Sequence, residues 1–74
     1  MSRDTYLTIR GILAALQSNA EAAREQAEIA EEVVDGLADQ DGEEAKNWRA
    51  ILAAGEAFAQ AFETQHKYML SRLT

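Results

Sequence analysis

From Tyr6 onward, steps of alternately three and four residues land on Tyr6, Ile9, Leu13, Leu16, Ala20, Ala23, Ala27, Ala30, Val34 and Leu37, and none meets a charged or amide side chain. A spacing of this kind, sustained over more than four heptads, is how a helix presents one narrow apolar seam to another helix. The same steps from Ala45 give Trp48, Leu52, Gly55, Ala59, Phe62, His66, Met69 and Leu73, with His66 as the one polar position. Two long helices therefore dominate the chain. Proline is absent and alanine, glutamate, glutamine and leucine are abundant, a composition that favours helix over sheet.

Between the two seams lies Asp35-Gly36-Leu37-Ala38-Asp39-Gln40-Asp41-Gly42. Glycine there can take the left-handed conformation that ends a helix, and aspartate can cap the next one. Asp41 followed by Glu44 has the spacing of a capping box. The expected organisation is a single domain over residues 1–74: helix 1 over about 4–36, a turn at about 36–41, and helix 2 over about 42–73. So short a turn makes the helices antiparallel. Counted outward from it, Val34 faces Trp48, Ala30 faces Leu52, Ala27 faces Gly55, Ala23 faces Ala59, Ala20 faces Phe62, Leu16 faces His66 and Leu13 faces Met69. The middle of this seam is alanine and glycine, which predicts a close approach of the two backbones.

Ile12, Val33, Ile51 and Phe58 flank the seam, with Ile29, Tyr68 and Leu70 further round. A stripe this wide belongs to a helix with two neighbours. At 74 residues and with no cysteine, the chain has neither a large core nor a disulfide to draw on, and oligomerisation is the remaining staple. The expected fold is all-α, an antiparallel two-helix hairpin dimerising into a Rop-like four-helix bundle. In outline it resembles the plasmid copy-number regulator Rop, a dimer of helical hairpins, with no residue motif in common. The residues expected at the interface between copies are Ile12, Leu16, Val33, Ile51, Phe58, Phe62, His66 and Met69.

Charge is unevenly placed. Residues 21–63 hold twelve carboxylates against three cations, a net −9, whereas the rest holds four cations against Asp4, a net +3. The turn half is thus acidic and the end holding both termini mildly basic. Head-to-tail packing of two hairpins sets each basic end beside an acidic turn, although exposed pairs are individually weak and salt-sensitive. A formal net charge of −6 argues against direct nucleic-acid binding, which lysine and arginine drive. The acidic face of Glu21, Glu25, Glu28, Glu32 and Asp35 instead suits a basic surface on an unidentified protein partner, for instance a nucleic-acid-binding protein whose phosphate contacts the carboxylates would mimic.

No apolar stretch reaches the roughly 20 residues needed to span a bilayer, and the start has no secretory-signal pattern. The expectation is a cytoplasmic protein with no membrane association. Nucleophile–histidine pairs and glycine-rich phosphate loops are missing from the sequence, so no enzyme and no cofactor is expected. Asp39-Gln40-Asp41-Gly42 fails as a calcium loop, since that register would place Leu37 at the first ligand and Trp48 at the closing glutamate.

Three functional readings follow. The leading one is a small acidic non-enzymatic protein-interaction module, a homodimer that regulates or inhibits a larger protein, of a kind that suits a phage or mobile element. In the second, an oligomer binds a phosphate-bearing small ligand through the basic and aromatic open end, at Tyr6, Arg10, Lys67, Tyr68 and Arg72. The third is a metal-binding four-helix bundle through the Glu-x-x-His pair Glu63 and His66. That site needs a carboxylate from the facing helix, and the positions opposite are Leu16, Asn19 and Ala20.

Overall fold

The computed structural model describes residues 1–73 and contains two α-helices, α1 (Arg3–Gly36) and α2 (Glu43–Ser71), with no strand among the described residues. They fold back on one another as a hairpin 56 Å long and only 15 × 13 Å across. Thirty-four residues of α1 at a rise of about 1.5 Å per residue account for that length. No helix is long and apolar enough to cross a membrane among the described residues.

Burial follows the seam. On α1 it takes in Ile9, Leu13, Leu16, Ala20, Ala23, Ala27, Ala30 and Val34, whereas Tyr6 at its start is exposed. On α2 only Ala45, Gly55 and Ala59 are buried, and Trp48, Leu52, Phe62, His66 and Met69 stay half-buried. The asymmetry is geometric. Both the small and the large seam residues of α1 are covered, whereas on α2 only the small ones are, and its bulkier seam side chains stay partly in water. Among the described residues the only side chains fully buried are those of Ala30, Ala45 and Ala59, and no large side chain is.

Gly55 sets how near the helices come. A Cβ built on it would lie 3.0 Å from the Ala23 carbonyl oxygen, 3.0 Å from the Ala27 nitrogen and 3.2 Å from the Ala27 Cβ. The backbones are therefore in contact at this level, and Gly55 sits against Ala23 and Ala27 as the seam pairing requires. Two cross-helix hydrogen-bonded contacts keep the same register: Arg24 to Glu63, and Gln26 Nε2 to the Ile51 carbonyl at 3.1 Å.

The turn is built differently from the sequence expectation. Gly36 does not adopt a left-handed conformation, and no residue described has a positive φ. Instead Leu37 turns extended as the C-cap, its N–H donating to the Val34 carbonyl. The Gln40 side chain then donates to the carbonyls of Val34 (2.7 Å) and Leu37 (2.8 Å), and Arg49 of α2 donates to Gln40 Oε1 at 3.0 Å. A side-chain amide thus satisfies carbonyls that a glycine-terminated helix would satisfy with backbone N–H groups. The Asp41–Glu44 capping box does not form either. Gly42 is the N-cap of α2 and has no side chain to cap with, while the Asp39 carboxylate accepts from the Asp41 N–H at 3.0 Å and lies beside Gly42. At the other terminus Ser2 caps α1, its Oγ accepting from the Thr5 N–H at 3.2 Å.

The shape leaves much of the chain in water. A compact domain of this length has a radius of gyration of about 11 Å, against 16.7 Å here. Its accessible surface is 5408 Å², roughly 900 Å² more than the scaling for a folded monomer of its 8.2 kDa gives.

Candidate functional site

The seam divides the hairpin into two broad sides of different chemistry. On one, Asn19, Ala22 and Gln26 of α1 and Phe58 and Phe62 of α2 line a shallow groove. It continues toward the termini between Thr8 and Ile12 of α1 and Tyr68 and Met69 of α2. Toward the turn, helical spacing carries the same side on to Ile29 and Val33, with Ile51 opposite. Between Thr8 and Val33 on α1, and between Asn47 and Tyr68 on α2, this side holds no aspartate, glutamate, lysine or arginine. The uncharged strip is about 38 Å long at the helical rise.

Large apolar side chains stand in solvent along it: Phe58 is 52% exposed and Ile29 49%, and Ile12, Ile51 and Tyr68 are likewise exposed. Phe58 and Phe62 pack on each other, with ring centroids 6.4 Å apart and planes tilted by 32°. The strip is uncharged but not wholly apolar, since Asn19 and Gln26 line the groove beside Phe58 and Phe62.

The opposite side carries the charge. Arg24 donates to both carboxylate oxygens of Glu63, at 2.8 and 2.9 Å. Gln17, Glu21, Glu25, Glu28 and His66 border the same depression. The fork geometry is specific, but the two side chains remain 52% and 48% exposed, so the pair adds little stability. With Glu63 held by Arg24, the other acidic groups bordering this depression are Glu21, whose Oε1 accepts from Gln17 Nε2 at 3.4 Å, Glu25 and Glu28.

The structure sorts the residues singled out from the sequence. Ile12, Val33, Ile51, Phe58, Phe62 and Met69 share the uncharged side, whereas Leu16 is buried in the hairpin's own seam and His66 borders the charged depression. Of the acidic set, Glu21, Glu25 and Glu28 lie together, with Glu32 and Asp35 outside that depression. The open-end set divides between the two sides. Tyr68 and Arg72 border the uncharged groove, with Arg72 Nη1 donating to the Tyr68 hydroxyl at 3.3 Å. Arg10 lies on the opposite side with His66 and Leu70. Lys67 is exposed and borders neither. Glu63 and His66 share the charged depression, but both Glu63 oxygens are already engaged by Arg24. No group of three or more histidine, cysteine, aspartate or glutamate side chains able to hold a metal occurs among the described residues.

The sequence sets Asn19 opposite Glu63 and His66, but it lies in the uncharged groove with Phe58 and Phe62; Ala22 and Gln26 were passed over, and Ile29 was left out of the interface. A second walk was there to find them: Ile12, Ala15, Asn19, Ala22, Gln26, Ile29 and Val33 again step by three and four without meeting a charge. Leu70, grouped with Ile29 and Tyr68 further round from the seam, belongs to the other side because it is rotated from the seam in the opposite sense. Neither a family model, nor a curated protein, nor a solved structure matches the chain.

Proposed function

We propose that this chain is a non-catalytic protein-interaction module. Two hairpins pair through their uncharged sides into a four-helix bundle, and the bundle presents its acidic surfaces to a larger protein that it regulates or inhibits. The observation that carries this reading is the segregation of side chains: one broad side has no charge over about 38 Å, and the other holds Glu21, Glu25 and Glu28 together. Water is a poor neighbour for Phe58 and Ile29, at about 25 cal/mol for each Å² of apolar area left in it. The roughly 900 Å² by which the surface exceeds that of a compact monomer is close to the 800 Å² or so that each partner buries in a standard interface.

The carboxylates define the chemistry of the second partner. A surface rich in lysine and arginine, such as one that binds a nucleic-acid backbone, is steered toward them and held in register.

Sedimentation and partner capture test the two halves separately. Phe58→Asp leaves the hairpin helical and shifts the chain from dimer to monomer at micromolar concentration. Reversal of Glu21, Glu25 and Glu28 to lysine leaves the dimer intact and abolishes retention of the basic partner. A wild-type chain that sediments as an 8.2-kDa particle at tens of micromolar refutes the pairing. Unchanged partner retention after charge reversal refutes the acidic contact.

A further inference from the structure

We infer that the uncharged side is its own complement: a second copy docks on it head to tail, about a two-fold axis that crosses α1 at Ala22 and α2 between Phe58 and Phe62. This rests on the self-association proposed above and adds the orientation and the register. A two-fold interface requires one patch to match itself when reversed, and the order of side chains along this side does so.

On α1, reversal about Ala22 sets Asn19 against Gln26 of the second copy, amide to amide, and Ile12 against Val33, each pair within one residue of exact level. The level of the axis on α2 follows from the shared groove in which Ala22 lies beside Phe58 and Phe62, and from the seating of Gly55 against Ala23 and Ala27. Reversal about that level brings Phe58 to Phe62 of the second copy and Ile51 to Met69. Aliphatic ends therefore meet aliphatic ends, amides meet amides, and the rings meet at the centre.

A parallel pair about an axis along the bundle also matches apolar to apolar, so charge decides between the two. Parallel packing sets the segment of net −9 beside its copy. Head-to-tail packing brings Arg3 and Arg72 of one copy level with Asp39, Asp41 and Glu44 of the other, and Coulomb's law favours it. The uncharged strip, about 38 Å long and on the order of 20 Å wide for two helices side by side, has the area that each partner of a stable dimer buries, about 800 Å².

The chain has no cysteine, so introduced thiols report proximity without interference. Ala22→Cys places two sulfurs at the axis and yields a disulfide-linked dimer on oxidation. Asn19→Cys alone yields none, because its two copies lie about 9 Å apart along the bundle at the helical rise, beyond the Cα separation of about 4.4–6.8 Å that a disulfide spans. Asn19→Cys mixed with Gln26→Cys links the two variants to each other. All three are sedimented in reductant as well. A dimer with this pattern of links supports the register. A dimer in which Ala22→Cys fails to link, or Asn19→Cys links to itself, overturns the axis and leaves self-association standing. A chain that is monomeric in reductant and unlinked on oxidation overturns both.

Discussion

Gly55→Ala and Gly11→Ala make the same chemical change in two long helices and are expected to move stability in opposite directions. In a helix interior alanine is better than glycine by about 1 kcal/mol. At Gly11 that gain stands alone, since an added Cβ meets nothing within 4 Å. At Gly55 the same methyl lies 3.0 Å from the Ala23 carbonyl oxygen and the Ala27 nitrogen. These are backbone atoms inside a helix, so relief requires the helices to part. Overpacking of this kind costs about 1–3 kcal/mol, which leaves Gly55→Ala destabilised by about 1 kcal/mol, the middle of the range. With an unfolding entropy of about 2.1 cal/mol/K per residue, 1 kcal/mol corresponds to roughly 6 °C for a chain of this length. Thermal denaturation followed by circular dichroism, at one fixed chain concentration because association shifts the midpoint, is expected to show Gly11→Ala about 6 °C above wild type and Gly55→Ala about 6 °C below it. If Gly55→Ala rises as far as Gly11→Ala, the backbones are not in contact at that level and the register argument built on Gly55 fails.

Three further outcomes follow from the same geometry. Gln40→Leu removes the donor to the Val34 and Leu37 carbonyls and should lower stability by about 1–2 kcal/mol, with amide exchange quickening first at the end of α1; unchanged exchange there would refute a side-chain cap. Ser2→Ala loses the bond to the Thr5 N–H and should cost about 1 kcal/mol, seen as fraying of the first turn by NMR, while an unaltered first turn would assign the cap elsewhere. Arg24→Met breaks the fork to Glu63 and should cost no more than about 1 kcal/mol. That difference from wild type should shrink in 1 M salt, and a loss indifferent to salt would mean that the arginine stem, not its charge, is what matters.

The hairpin was legible in the sequence because the seam allows no other reading. From Ile9 to Val34 every third or fourth residue is uncharged, and only a helix brings such positions to one line. Gly55 opposite Ala27 was equally legible, since an antiparallel pair with a short turn has one free parameter. The turn was not, because its chemistry depends on reach. Gln40 closes α1 while Arg49 of α2 donates to its oxygen, and a local glycine rule knows nothing of a side chain arriving from the next helix. The acidic cluster was readable from composition along the chain. The partition into sides was not, because it needs the sense in which each residue is rotated from the seam. That sense takes Leu70 away from Ile12 and sets Phe58 beside Asn19. Arg24 and Glu63 stand 39 positions apart, and only the folded register shows that an arginine crosses the seam to a glutamate.

The repeat also governs how a chain like this can change in size. Removing a single residue from the middle of either helix rotates everything beyond it by about 100°, which would carry Glu21 or Glu28 toward the seam and an alanine out of it. Seven residues taken from α1 together with the seven facing them on α2 shorten the rod by about 10 Å and leave every remaining side chain on its own side. Length in such a molecule is quantised, and viable insertions and deletions should arrive in matched pairs of two helical turns.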